Sequence, residues 1–90
     1  MRVARRFVIG GRVQGVGFRY FTQNAAVREG VEGWVQNLPD GRVEVVVEGD
    51  EDAVTRMERA IRSGPAGARV EHVDVHDDDA AGTLKGFRIK

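Results

Sequence analysis

The feature that most constrains the fold is the order in which two kinds of apolar spacing follow each other along the chain. Apolar residues alternate in four segments, as in half-buried strands, and recur every three to four residues in two others, as in helices that face a core. The order β-α-β-β-α-β, with a short fifth strand at 87–90, predicts an α+β fold. We expect a ferredoxin-like two-layer sandwich, in which two helices cover one face of a mostly antiparallel sheet. Ninety residues suffice for one such core, so we predict a single domain, 1–90.

Turn and cap signals set the limits of these segments. Gly30 stands where a helix should end, and Pro39 and Asp40 begin a turn that Gly41 completes. Asp50 is expected to cap the second helix with its side chain. The predicted strands cover 5–14, 33–37, 43–49, 70–76 and 87–90, and the predicted helices cover 18–29 and 51–63.

Charge is distributed unevenly along a chain whose net charge is zero. Residues 1–28 contain six arginines and no acid, whereas residues 29–90 contain eight basic and fourteen acidic side chains. The overall neutrality argues against a general polyanion binder. The basic first third could focus positive potential on a small anion, or acids close in space could neutralise it, and both readings stay open. Arg2, Arg5 and Arg6 are interpreted as an exposed basic start of the first strand.

Cysteine is absent, which excludes disulfides and thiolate-bound metals and suits a reducing compartment. The longest apolar runs span only a few residues, and residues 1–14 lack the features of a signal peptide. We therefore expect a cytoplasmic protein without a membrane-spanning segment.

A polar cluster near the end of the predicted fourth strand is a candidate metal site. His72, Asp74 and His76 alternate on one strand face, beside the acidic residues 77–79. These side chains could hold a metal ion. We favour instead a polar outward face that runs into a solvated acidic loop, and we predict no metal site.

The stretch VQGVGFRYF, residues 13–21, lies between the first strand and the first helix and carries the clearest chemical signal. Gly15 and Gly17 allow positive φ, and the amides after them belong to a first helical turn without internal acceptors. Such a loop can aim several N–H groups at one anion, and the planar fork of Arg19 matches phosphate or carboxylate oxygens. The alternative is a tight turn followed by a solvated arginine.

Asn37 is the second candidate, because it ends the second strand. In the predicted topology the first and second strands are parallel, with the third between them, so their carboxyl ends reach the same edge of the sheet. Asn37 shares a face with Val35, and if Val35 points at the helices, Asn37 points toward the start of the first helix. Its amide can donate to and accept from a water molecule. Alternatively, Asn37 only ties down the following turn.

Taken together, GRVQGVGFRYF and GWVQNLPDGRVEVVVEG resemble the acylphosphatase family, and the similarity extends over essentially the whole chain. The resemblance implies hydrolysis of the carboxyl–phosphate bond of small acyl phosphates, without metal or cofactor. It further implies that Arg19 grips the phosphate and that Asn37 orients the attacking water, which makes both residues catalytic. We expect a monomer. The substrate phosphate is expected to bind at Gln14, Gly15, Val16, Gly17, Phe18 and Arg19.

Two binding functions remain as alternatives to an enzyme. The same element order serves RNA-recognition domains, but these need aromatic residues on the third strand. Here that strand reads VEVVVEG, with Glu44 and Glu48 expected on its outer face. Tyr20 and Trp34 are interpreted as packing residues, and we expect no nucleic-acid partner. The second alternative is a module that binds an anion or ligand without turning it over.

Overall fold

The computed structural model describes all residues, 1–90, and its five strands form one sheet in the order β4-β1-β3-β2-β5. Every neighbouring pair of strands is antiparallel except β2 and β5. The predicted ferredoxin-like arrangement is confirmed, with the fifth strand at the free edge of β2. The elements are β1 (Arg2–Arg12), α1 (Phe18–Glu29), β2 (Glu32–Asn37), β3 (Val43–Asp50), α2 (Glu51–Ser63), β4 (Arg69–Asp78) and β5 (Phe87–Ile89).

The core lies between the sheet and the two helices. Alternate residues of the strands point into it, and α2 contributes Val54, Met57 and Ile61, which were predicted to form its buried stripe. The first strand begins earlier than predicted, since residues 2–4 pair with residues 48–50 of β3. The strand residues of the core are Phe7, Ile9, Val35, Val43, Val45 and Val47.

The topology brings two distant parts of the chain to one rim of the sheet. Both β1 and β2 run antiparallel to β3, which lies between them, so β1 and β2 are parallel and end on the same side. The loop after β1 therefore lies on the same rim as Asn37 at the end of β2. Lys90 reaches this rim as well, because its N–H donates to the carbonyl oxygen of Val35 at 2.8 Å.

The outer face of the sheet carries two buried carboxylates. Glu44 and Glu48 point to this face, as expected, but their residues are only 8% and 2% exposed. Arg6 donates through Nε to Glu44, and Arg2 donates through Nε to Glu48 at 2.8 Å. In each case the arginine lies diagonally across the β1–β3 pair from the carboxylate, so that its stem covers the acid.

The loop between β4 and β5 completes this layer of charge. Its Gly82 N–H donates to the Glu48 carboxylate at 2.9 Å, and its Gly86 N–H donates to Glu32 at 3.1 Å. Arg2 also donates to Glu32, through Nη2 at 2.8 Å. One arginine and two backbone amides thus hold two carboxylates of neighbouring strands.

Two of these carboxyl groups titrate below their ordinary range. Burial raises the pKa of Glu44, but hydrogen bonds from Gln36 and Arg6 outweigh this effect and hold its pKa below the usual value. The hydrogen bond from Arg2, followed by that from the Gly86 amide, lowers the pKa of Glu32. Both groups therefore favour the charged state when the protein is folded.

The predicted exposed basic start of β1 holds for Arg2, which is exposed, but Arg5 and Arg6 are half-buried. Arg5 lies 3.7 Å from a Glu58 oxygen and 3.4 Å from an Asp77 oxygen, so Arg2, Arg5 and Arg6 all have acidic partners. Of the two readings of the uneven charge, the second holds for these three arginines, because acids that are distant in the sequence lie close enough to neutralise them.

The predicted side-chain cap of α2 is also wrong. The Asp50 side chain makes no capping hydrogen bond, and its Oδ1 lies 3.3 Å from the amino group of Met1. The Glu51 N–H donates instead to the Met1 carbonyl oxygen at 2.9 Å. The backbone of Met1, the residue before β1, thus accepts the hydrogen bond from the helix-start amide that the sequence predicted for the Asp50 side chain.

None of the helices has the length and apolar character that crossing a membrane requires.

Candidate active site

The loop between β1 and α1 curls because two of its residues have left-handed backbone conformations. Gly15 has φ 74°, and Gly17, the residue before α1, has φ 78° and ψ 20°. A β-carbon added at either glycine would meet nothing within 4 Å, so the backbone angle rather than crowding requires glycine there. The same open space leaves the loop backbone accessible to a ligand.

The amides of this loop have no acceptors within the protein. The first bond of α1 runs from Phe21 N–H to the Gly17 carbonyl oxygen at 3.0 Å, and none of the N–H groups of residues 14–20 donates to a backbone or side-chain oxygen. Successive unpaired amides at a helix start, together with the helix dipole, favour a bound anion. The loop therefore has the donor geometry of an anion-binding nest.

The loop after β1 and the end of β2 meet at a depression of about 120 Å³. This volume is well above the space that a single water needs, which suits a small anion and one water. The sequence-predicted residues that line it are Gly15, Gly17, Phe18, Arg19 and Asn37, and Val13 and Tyr20 complete the lining.

Arg19 presents its guanidinium at this depression without an acidic partner. Its Nη1 lies 3.4 Å from the backbone oxygen of Lys90, and it takes part in none of the ion pairs. The other four N–H donors of the guanidinium remain free for a ligand, and two parallel N–H groups can bind two oxygens of one phosphate. The local positive field predicted for the first third of the chain is therefore retained at Arg19.

Asn37 lies on the helix side of the sheet, as predicted. Val35, two residues earlier on the same face, is fully buried in the core, and Asn37 is the next residue of that face at the rim. The Asn37 carboxamide makes no hydrogen bond within the protein, although it lines the depression. The alternative in which Asn37 ties down the following turn is not what the structure has, because Gln14 and Asp40 perform that task.

Gln14 connects the two halves of the depression. Its Nε2 donates to the carbonyl oxygens of Leu38 at 2.8 Å and Arg42 at 3.0 Å, both in the turn after Asn37. Asp40 closes the same turn by accepting from the Arg42 N–H at 3.1 Å. The Gln14 side chain is thus engaged by the turn, and only its backbone faces the loop.

Tyr20 is the residue that the sequence interpretation misplaced. It was expected to pack in the core, but it is 65% exposed and lies beside Arg19 in the lining of the depression. The α1 face that packs inward carries Phe18, Thr22 and Ala25 instead. Helical spacing from Phe18 identifies that face, and Tyr20 lies about 200° around the helix from it. Of the remaining predicted residues, Val16 packs against the core and does not line the depression.

The polar cluster on β4 does not converge. His72, Asp74 and His76 pair with Gly10, Val8 and Arg6 of β1 and follow one another along the strand. The chain has no group of three or more His, Asp and Glu side chains close enough to hold a metal ion. The His72 ring lies across Gly10, where an added β-carbon would be 2.4 Å from Nε2, so this histidine packs on a strand.

Comparison with known proteins gives one consistent family. The family model named acylphosphatase matches residues 5–89. The acylphosphatase of Rubrobacter xylanophilus is 51% identical over 85 residues, which cover 94% of this chain and 77% of that protein. The acylphosphatase of Anaeromyxobacter dehalogenans is 51% identical over 89 residues, covering 99% and 96%. The crystal structure of the Bacillus subtilis acylphosphatase superposes with a TM-score of 0.94 at 38% identity and covers 98% of both chains.

Proposed function

The chain belongs to the acylphosphatase family and is a hydrolase of acyl phosphates, and we propose that Arg19, Asn37 and the amides of residues 15–19 form its active site. The observation that carries this proposal is the single depression lined by the glycine loop, an arginine without an acidic partner and an asparagine without a hydrogen bond. The proposed catalytic domain spans residues 1–90.

Phosphate binding follows from the donors of the loop. The unpaired amides and the dipole of α1 favour a dianion, and the Arg19 fork adds two charge-assisted hydrogen bonds. These donors are fixed before the substrate arrives, since the glycine angles and the Gln14 contacts hold the loop. A prearranged set of donors stabilises the charge of the transferring phosphoryl group without reorganisation.

The hydrolytic step then requires a water in line with the bond that breaks. We assign the placement of this water to the Asn37 carboxamide, whose oxygen can accept a hydrogen bond from the water while its nitrogen donates one to a phosphate oxygen. The water oxygen forms the new bond to phosphorus, and the bond between phosphorus and the acyl oxygen breaks. A doubly charged acyl phosphate and water thereby give a carboxylate and dihydrogen phosphate, so charge and protons balance.

The chemistry explains why so few groups are needed. The leaving group is a carboxylate, whose conjugate acid has a pKa of about 4, so it departs without a general acid. The transition state of phosphoryl transfer is loose, which makes weak demands on the nucleophile and strong demands on position and charge. Arg19 and Asn37 meet these two demands, whereas an aryl phosphate monoester, with its poorer leaving group, should react far more slowly.

We further propose that the enzyme acts on small acyl phosphates as a cytoplasmic monomer, with no nucleic-acid partner and no metal or cofactor. The absence of cysteine supports a reducing compartment. The third strand presents Glu44 and Glu48 on the outer sheet face, where an RNA-recognition domain would present aromatic side chains.

The test is hydrolysis of acetyl phosphate in excess chelator, beside the aryl monoester p-nitrophenyl phosphate. We expect turnover of acetyl phosphate that is unchanged by the chelator, and turnover of the monoester that is lower by at least about a thousandfold. Activity that disappears with the chelator and returns with a divalent cation would contradict the metal-free mechanism. Equal activity on both substrates would contradict the role of the leaving group.

A further inference from the structure

A second pocket lies on the other face of the sheet, and its lining is basic. Its volume is about 310 Å³, and it is formed by the β2–β5 edge and the loop before β5. It lies outside the depression that holds Arg19 and Asn37, and the two linings have no residue in common. Its residues are Gly33, Trp34, Thr83, Leu84, Lys85, Arg88 and Lys90.

The three cations of this pocket have no acidic partners. Lys85, Arg88 and Lys90 are exposed, and none of the ion pairs of the protein includes them. The carboxylates on the neighbouring strands, Glu32 and Glu44, are held by Arg2 and Arg6. Arg2 and Arg6 hold three carboxylates, Glu32, Glu44 and Glu48, which leaves one negative charge beside the three cations. The β5 edge therefore keeps a net positive charge of about +2.

Strand pairing explains why the cations gather on one side. In the parallel β2–β5 pair, Trp34 is the partner of Arg88, so both side chains lie on the same face. Phe87 and Ile89 point to the core, which leaves Arg88 and Lys90 on the outer face. The Lys90 ammonium lies 4.0 Å from the centre of the Trp34 ring, a cation–π contact that holds its charge at the pocket.

We propose that this pocket, the β5-edge site, binds a compact anion that carries two phosphate groups, such as pyrophosphate or the diphosphate of a nucleotide. The site keeps a net charge of about +2 after the nearby carboxylates are counted, and its three cationic side chains supply donors to two phosphate groups at once. The pocket is more than twice as large as the depression at the glycine loop, about 310 Å³ against about 120 Å³. Leu84 adds an apolar side chain to the lining, against which the organic part of an ester can pack beside the diphosphate.

Trp34 provides a direct signal, because it is the only tryptophan of the chain and lies in the site. An anion that draws the Lys90 ammonium away from the indole ring changes its fluorescence. We would titrate pyrophosphate and orthophosphate at constant ionic strength, so that general screening does not change during the titration. The titration uses Arg19→Gln, in which phosphate binding at the glycine loop is expected to be weakened at least about tenfold. We expect a saturable change, with pyrophosphate bound at least about tenfold more tightly than orthophosphate.

Two charge-matched double variants separate the site from the overall charge. Lys85→Gln with Arg88→Gln should raise the pyrophosphate Kd at least about tenfold. Arg28→Gln with Arg59→Gln removes two exposed arginines of the helices and should leave the Kd within about twofold. Circular dichroism of both double variants checks that the fold is retained.

Several results would overturn the β5-edge site. These are the absence of a saturable fluorescence change, equal affinity for orthophosphate and pyrophosphate, and equal weakening by both double variants. Calorimetry with ADP distinguishes the two sources of the diphosphate group. Binding at least as tight as that of pyrophosphate supports a nucleotide, and weaker binding supports the free diphosphate. Hydrolysis of acetyl phosphate tests the other pocket and does not decide this proposal.

Discussion

The contact between Gln14 and the turn after Asn37 allows the account to be tested away from the reacting groups. Gln14→Ala removes two hydrogen bonds, which join Nε2 to the carbonyl oxygens of Leu38 at 2.8 Å and Arg42 at 3.0 Å. Each such bond contributes about 0.5–1.5 kcal/mol net, so the free energy of unfolding should fall by about 1–3 kcal/mol. The lower half of this range applies, because both carbonyl oxygens keep a backbone donor, Gly41 N–H for Leu38 and Leu38 N–H for Arg42.

The effect on activity should exceed the effect on phosphate binding. Gln14 holds the loop with Arg19 against the strand end with Asn37, so its loss separates the bound phosphate from the water that attacks it. A displacement of about 1 Å can lower turnover about a hundredfold. We expect kcat with acetyl phosphate to fall about ten- to a hundredfold, whereas the inhibition constant of inorganic phosphate should change less than about threefold.

Thermal unfolding and steady-state kinetics are measured together, with two comparison variants. Gln14→Glu cannot donate to the carbonyl oxygens and should not restore kcat. Gln23→Ala removes a hydrogen bond of the same type, from Nε2 to the Phe87 oxygen at 3.1 Å, but does not touch the depression. Both alanine variants should lower Tm by about 4–8 °C for each kcal/mol lost. Full kcat in Gln14→Ala, or an equal loss in Gln23→Ala, would refute the positioning role.

Three further predictions follow from the site and from the outer face. Arg19→Lys should lower kcat/KM at least about a hundredfold, since a single ammonium cannot reproduce two parallel hydrogen bonds, and activity within threefold of wild type would contradict the clamp. Asn37→Ala should lower kcat about a hundredfold, and inhibition by phosphate should stay within about threefold; full turnover would exclude the water-placing role. The lowered pKa of Glu44 in the folded state means that its stabilising effect is present above about pH 4.5 and is lost as pH falls through the folded pKa. Urea unfolding as a function of pH should therefore show a smaller acid dependence for Glu44→Gln than for wild type.

The fold and the inward-facing residues could be predicted from the sequence because the periodicity of the apolar residues decides both. Alternation of Val43, Val45 and Val47 requires one buried strand face, and the helical spacing of Val54 and Met57 requires one buried helix face. Arg19 and Asn37 could be placed on one rim because the handedness of the crossover and the antiparallel third strand leave one arrangement.

What could not be predicted depends on pairing between distant side chains. Glu48 alternates as an outward polar residue, yet Arg2 and the Gly82 amide cover it, and no local pattern contains that information. The cap of α2 comes from Met1 for the same reason, since strand pairing brings Met1 and the start of α2 together.

Tyr20 was misassigned for a different reason. An aromatic side chain predicts burial on average, whereas the angular position of Tyr20 on α1 decides its exposure.

The central claim is that backbone amides of the loop before α1, with Arg19, hold the substrate phosphate beside Asn37. Its most direct test is a titration of the isotopically labelled protein with inorganic phosphate, followed by amide chemical shifts. The account predicts that the largest saturable shifts belong to residues 15–20, and that Arg19→Gln weakens binding by at least about tenfold. Amides of residues 15–20 that do not respond, while phosphate still inhibits hydrolysis, would contradict it.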